Sequence, residues 1–196
     1  MKKYNTIIAI IIIFIIWGFF KKYRNTNTNS NIIVEQSKSI LPPNNSFLYK
    51  PNGSEYSIVF TSKPTIKATA TSVDGIIYKG ETAEYGDDDK QSVERVEFSK
   101  VNYDLAKIFD KDYAYNFLNE LATKGNYDHP SFKFDSTELG KYCEMTAFKK
   151  IIATNYTAIY RFYCVKSTAF VVTCLCQSKD FPSKEQVLFL NSIKLN

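Results

Sequence analysis

No glycine-rich loop joins a strand pattern to a helix pattern in this chain, which excludes the Rossmann kind of nucleotide-binding unit. No block of like charge is long enough to act as a nucleic-acid footprint. The net charge of +5 owes much to Lys2, Lys3, Lys21, Lys22 and Arg24, which flank one apolar run. The rest reads as a mixed solvated surface, so no nucleic-acid partner is expected. Histidine occurs once, as His129 in a predicted loop between Asp128 and Pro130. A nucleophile needs a base within hydrogen-bond reach. The partners on offer to His129 are cysteines that all fall on apolar strand faces. Asp87, Asp88 and Asp89 carry oxygens of the kind calcium takes, but no glycine and glutamate follow at EF-hand spacing. They read as a solvated hairpin tip. No catalytic, cofactor-binding or metal-ligating residue is assigned, and no cofactor is expected.

What the chain does have is an uncharged run at residues 7–20, IIAIIIIFIIWGFF. Fourteen residues make about 21 Å of helix, short of the roughly 30 Å hydrocarbon core of a bilayer. Thr6, Asn5 and Tyr4 extend it to a marginal span. Tyr4 and Trp17 suit the two interfaces, and the flanking lysines can snorkel. A cleaved signal peptide is the rival reading. It needs small residues after the run, whereas Gly18-Phe19-Phe20-Lys21-Lys22-Tyr23-Arg24 is bulky and then basic. The expectation is an uncleaved N-terminal transmembrane anchor over residues 1–24. Positive charge is nearly balanced across it, so orientation rests on the habit of such anchors to deliver the following domain across the membrane.

Residues 25–46 read as a flexible linker, opening with the wholly polar stretch NTNTNSN at 25–31. Residues 32–41 are partly apolar and end at Pro42-Pro43. A single domain is then expected over residues 47–196. Tyr56, Ile58 and Phe60 alternate with Ser57, Val59 and Thr61 in a first strand. Strands follow over 67–71 and 75–85. A turn at 86–89 leads to a returning strand over 91–101. Leu105, Ile108, Phe109, Ala114, Phe117, Leu118 and Leu121 fall at helical spacing over 104–124, with Gly125-Asn126 as the stop. A short strand around Phe132 and Phe134 precedes a three-stranded meander over 141–150, 155–165 and 168–178. Ser183 is a helix N-cap, and Val187, Leu188, Leu190 and Ile193 give a terminal helix. Strands, helix, strands, helix is the order of an α+β fold with an antiparallel sheet.

The cysteines are Cys143, Cys164, Cys174 and Cys176, each on the more apolar side of its strand. Core thiols are the plain reading. A disulfide is the rival outside the reducing cytosol, with Cys143 and Cys164, nearly diagonal across the meander, as the pair to test. Cys174 and Cys176 lie too far apart along one strand to pair. A four-thiolate zinc site needs knuckle loops that these strands lack. Parity is taken to put Phe162, Cys164, Val172, Cys174 and Cys176 on one face, under Val187, Leu188 and Leu190 of the terminal helix. Arg161 and Tyr163 then face away, and Arg161→Ala is expected to cost little. Tyr142, Tyr156, Tyr160 and Tyr163 are expected to be half-buried with wet hydroxyls, or to form an exposed ligand surface.

Three pieces resemble the PsbP-like fold superfamily over about residues 47–196. They are the opening strand running into a proline, Tyr56-Ser57-Ile58-Val59-Phe60-Thr61-Ser62-Lys63-Pro64, the helix with Leu118, Leu121 and Gly125, and the closing Phe189-Leu190-Asn191-Ser192-Ile193-Lys194-Leu195. The family places proline directly after the phenylalanine, where this chain has Thr61. The resemblance implies an αβα sandwich in a bacterial membrane-anchored member. It also implies binding or assembly roles and no shared active site.

The reading is a single-pass membrane protein with an extracytoplasmic, non-enzymatic accessory or interaction domain at the cell envelope. Its partners are the membrane, through the N-terminal helix, and an unidentified protein. One alternative is a small-ligand-binding domain with an aromatic pocket between sheet and helix. The other is an enzyme using His129 and a cysteine.

Overall fold

The computed structural model describes residues 46–51, 56–73, 76–100, 109–137 and 139–195. The run at 7–20, the tether at 25–31, the stretch at 32–41 and the helix positions Leu105 and Ile108 lie outside them. Among the described residues no helix is long and apolar enough to cross a membrane.

The strands are β1 (Phe47–Tyr49), β2 (Tyr56–Phe60), β3 (Thr65–Val73), β4 (Ile76–Asp87), β5 (Ser92–Lys100), β6 (Asp128–Thr137), β7 (Gly140–Ile151), β8 (Thr154–Val165), β9 (Thr168–Gln177) and β10 (Lys194–Leu195). Helix α1 spans Lys111–Gly125 and helix α2 Lys184–Asn191. The fold is α+β and its sheets are antiparallel. Seven strands form the main sheet in the order β3-β4-β5-β9-β8-β7-β6. The opening strand β2 is not among them. It pairs with β1 and with the closing strand β10 in a separate three-stranded sheet. The hairpin β4–β5 and the meander β7–β8–β9 join through β5 and β9, from Val93↔Leu175 to Lys100↔Thr168.

One face of the main sheet takes α1 and the other takes α2 with the small sheet, so there are two cores. Phe162 sits on the α1 face, its ring stacked on Phe117 at 4.1 Å and flanked by Phe109 and Tyr113. On the α2 face a column of rings runs from Tyr142 through Tyr163 and Phe170 to Tyr56, at centroid spacings of 5.0, 4.8 and 4.4 Å.

Helix α1 begins later than its apolar spacing predicts. Asp110 is extended and caps it, its carboxylate accepting the Tyr113 N–H at 2.7 Å. Asn126 ends it in the left-handed conformation, φ 51°. Gly125 is required beside it: a Cβ there would stand 2.4 Å from the Tyr127 ring. Helix α2 has the expected cap at Ser183, closed by Gln186 into a reciprocal capping box. Its buried residues are Gln186, Phe189 and Leu190; Val187 and Leu188 are only half-buried. The strand around Phe132 and Phe134 is longer than its two phenylalanines imply and forms the sheet edge.

The single apolar face drawn across the meander is corrected by its register. Phe162 pairs with Val171, and Arg161 with Val172. Phe162 and Cys164 therefore look toward α1, while Val172 and Cys174 look toward α2. Arg161 and Tyr163 share that second face and do not point away from the terminal helix. The joint Lys166-Ser167 is a two-residue turn between Val165 and Thr168, and such a turn pairs an odd position with an even one. Residues of opposite parity on β8 and β9 consequently share a face.

Candidate functional site

Among the described residues, the fully buried charged groups, Glu94, Arg95 and Glu97, all lie on β5. Its side chains alternate, so Arg95 and Glu97 face the α1 side and Glu94 faces the α2 side. Arg95 donates to Glu97 at 2.8 Å and to Glu84 on β4 at 3.3 Å. Burial raises the Glu97 carboxyl, and the Arg95 guanidinium opposes that rise. Beside this cluster, the N-terminal half of α1 leaves a cavity against β5, β8 and β9. It is lined by Glu97, Ser99, Tyr113, Phe117, Phe162 and Val171, among others. This is the aromatic pocket between sheet and helix that a ligand-binding reading requires. Its free volume is about 20 Å³, room for a single water molecule.

On the opposite face Glu94 accepts the Thr61 N–H at 2.8 Å and the Thr61 hydroxyl. A proline there would offer Glu94 neither donor. Arg161 lies further along the same face. It donates to Glu144 at 2.6 Å, to the Leu190 carbonyl at 2.7 Å and to Asn191 at 3.1 Å, fastening the C-terminal end of α2 to the sheet. Its guanidinium also covers the Tyr142 ring at 5.3 Å.

The structure scatters the residues put forward for chemistry. All four cysteines are buried free thiols. Cys143 stands opposite Phe162, which makes Cys164 its diagonal neighbour on the α1 face. Burial pushes both thiols up to about 12 and Cys176 up to about 11, with Cys174 raised as well. The Cys176 thiol is also held by Gln186 of α2, at 3.3 Å. His129 is not in a loop. It lies exposed in β6 at a register shift, with φ 49°. Along the row Asp128, Phe148, Thr157, Cys176 it is three strands from Cys176, roughly 14 Å away. No group of three or more metal-ligating residues converges among the described residues. Asp87 instead takes the Lys90 backbone N–H at 3.0 Å, closing the hairpin tip.

Tyr142, Tyr156, Tyr160 and Tyr163 are all buried and form no exposed surface. The Tyr160 hydroxyl meets that of Tyr127 at 2.5 Å, and Tyr156 donates to Gln91 at 2.9 Å. The Arg95–Glu97–Glu84 cluster was missed from sequence because alternating charge on a strand reads as a solvated face. Only the packing of α1 over that side of the sheet makes the face interior.

No family model matches the chain, and no curated protein matches it. A crystal structure from Bacteroides thetaiotaomicron VPI-5482 is similar at 15% identity and a TM-score of 0.44, over 78% of this chain and 48% of that one. The chain thus spans about half the length of that protein.

Proposed function

We propose that the chain is a membrane-tethered, non-enzymatic α+β domain of the PsbP-like class, acting as an accessory or interaction module on the extracytoplasmic side of the cell envelope. One observation carries the non-enzymatic reading: the groups fit for chemistry are spent inside the fold or isolated. Thiols raised to about 11–12 hold almost no thiolate at neutral pH, and thiolate is the reactive form. Arg95 is paired with the carboxylates beside it, Glu84 and Glu97. His129 is three strands from Cys176 and, on the strand next to Cys143, five positions from Phe134, the residue opposite that thiol. A cavity with room for one water gives no ground for a small-ligand site. The PsbP-like reading draws support from where the resembling pieces lie: the opening strand β2 and the closing segment α2–β10 come together in the small sheet. The tether is supported by the apolar run at 7–20 and the bulky, basic residues after it.

The test is complementation of a strain lacking the protein, alongside fractionation. The full chain is expected to sediment with membranes, resist an alkaline carbonate wash and dissolve in detergent. His129→Ala is expected to complement fully, and a chain without residues 7–20 to fail. Release by carbonate would remove the tether, and loss of complementation by a stably folded His129→Ala chain would reopen the enzyme reading.

A further inference from the structure

The hairpin turns of the main sheet differ in what they expose. Gln91 between β4 and β5 and Lys166 between β8 and β9 have positive φ, 47° and 50°, and both are polar. Between β7 and β8 that region is held by Ile152, at φ 57°. A branched side chain is strained there, where glycine or asparagine is the usual occupant. Ile152 is also 63% exposed, the most of any large apolar side chain among the described residues. It strains the fold and adds little to its core, which points to a use outside the fold. The hairpin around it, from Thr146 to Thr157, has Lys149 and Lys150 and no acidic residue. Lys149 is tied to the Gly125 carbonyl at 2.6 Å, and Lys150 is exposed. The acids at this end of the sheet lie further back. Counted from the row Val93, Leu175, Ala158 and Ala147, Asp87 (paired with Ser92) and Asp128 (paired with Phe148) stand one position out, whereas Ile151 and Thr154 stand four out. Asp88 and Asp89 follow Asp87 in a short turn, and Asp180 follows Ser178, whose hydroxyl meets that of Thr157 at 2.8 Å. The β7–β8 turn thus projects roughly 10 Å beyond Asp87 and Asp128.

We propose that this tip, Ile152 and Ala153 with Lys150 behind them, inserts into the headgroup layer of an anionic lipid bilayer. Two observations select a bilayer. The first is the chemistry of the tip. An apolar point backed by an exposed lysine suits an anionic interface, where the lysine meets headgroups and the apolar side chain meets the acyl boundary. Such a point is too small for a stable protein interface. The second is where the chain enters the domain. The Tyr56 ring stacks on Phe170 at 4.4 Å, and Thr61 donates to Glu94, which pairs with Cys174. Strand β2 therefore runs toward the end of the sheet that carries the β7–β8 turn. Strand β1 is antiparallel to it, with Phe47 opposite Phe60, and is entered from that same end. The chain leading from the apolar run thus joins the domain at the end where the tip projects. The inference rests on the proposed tether, which holds the domain beside a bilayer.

Depth-dependent quenching tests it. The full chain is placed in nanodiscs of phosphatidylcholine, with or without phosphatidylglycerol, in which some lipids carry a spin label on the acyl chain. Ala153→Cys takes an environment-sensitive dye in a brief native reaction, which the buried native thiols are slow to join. Lys166→Cys, in the turn at the opposite end of the sheet, is the control. The dye at position 153 is expected to be quenched strongly in discs containing phosphatidylglycerol and weakly in phosphatidylcholine alone, and the dye at position 166 in neither. Adding Ile152→Asn is expected to abolish the quenching while raising the thermal midpoint, because asparagine accepts positive φ more readily. Lys150→Glu is expected to weaken the quenching and leave the midpoint unchanged. A chain that enters the discs without quenching at position 153 overturns the inference and leaves the tether standing. A chain that does not enter them overturns both. Quenching that survives Ile152→Asn shows that the tip is not what inserts, and equal quenching in the two kinds of disc refutes the anionic surface.

Discussion

Glu94 is 4% exposed, with Thr61 as its donor on one side and Cys174 opposite it on β9. Burial raises its pKa to about 7 from an ordinary 4.5, and the Thr61 hydrogen bonds oppose the rise. Between those values the folded chain holds a proton that the unfolded chain has released. Stability therefore falls as pH rises from about 4.5 to about 7 and levels off above. Glu94→Gln should flatten most of that slope and be the more stable chain above pH 7, as read by thermal midpoints across the range. Glu97, raised for the same reason, leaves a residual slope of the same sign. Arg161 gives a second prediction at this scale. Its side chain is 13% exposed and holds both Glu144 and the end of α2. Arg161→Ala should cost about 2–4 kcal/mol in chemical denaturation, since it leaves a half-buried carboxylate and a helix carbonyl without their donor. This reverses the small cost expected from sequence. Arg161→Lys should recover only part of it, lacking the planar fork that reaches several acceptors at once.

At the scale of elements, the caps were legible because they are local. Ser183 and Gln186 are three residues apart, and the capping box needs nothing else. Ser183→Ala should lower stability by about 1 kcal/mol. The α1 start was less legible. Apolar spacing ran upstream of Asp110, and only that residue's extended backbone marks where the helix begins. Strand parity was read correctly within each strand and wrongly between strands, although the two-residue joint at Lys166-Ser167 already carried the rule that corrects it. Phe162 is the element-scale test of the α1 core. Phe162→Ala should cost about 3–5 kcal/mol, because a side chain stacked on Phe117 and flanked by Phe109 and Tyr113 leaves a cavity. All four thiols should react slowly with a bulky alkylating reagent in the native chain and quickly after denaturation, from whichever face they start. Rapid native labelling of Cys143 or Cys164 would show that α1 does not cover its half of the sheet.

For the whole molecule, the polar stretch at 25–31 is expected to separate membrane from domain without contributing to the fold. Deleting several of its residues should leave the thermal midpoint unchanged, and a marked drop would show that the segment packs on the domain. Sequence alone determined the class and order of the main elements and the bounds of the meander, but not β1, the extent of β6 or the start of α1. Period, caps and turn residues act over a few positions and need no knowledge of the rest of the chain. It also determined that the cysteines prefer apolar faces. Tertiary structure alone decided that β5 and β9 join the hairpin to the meander, that β2 leaves the main sheet for β10, and that Arg95, Glu97 and Glu94 are interior. These are pairings between residues tens of positions apart, from Val93 with Leu175 to Ser57 with Lys194. Their energies depend on which surfaces meet, and a local pattern carries no record of that. A charged, alternating strand looks the same at a surface and in a core. What separates the two cases is the layer packed over its face.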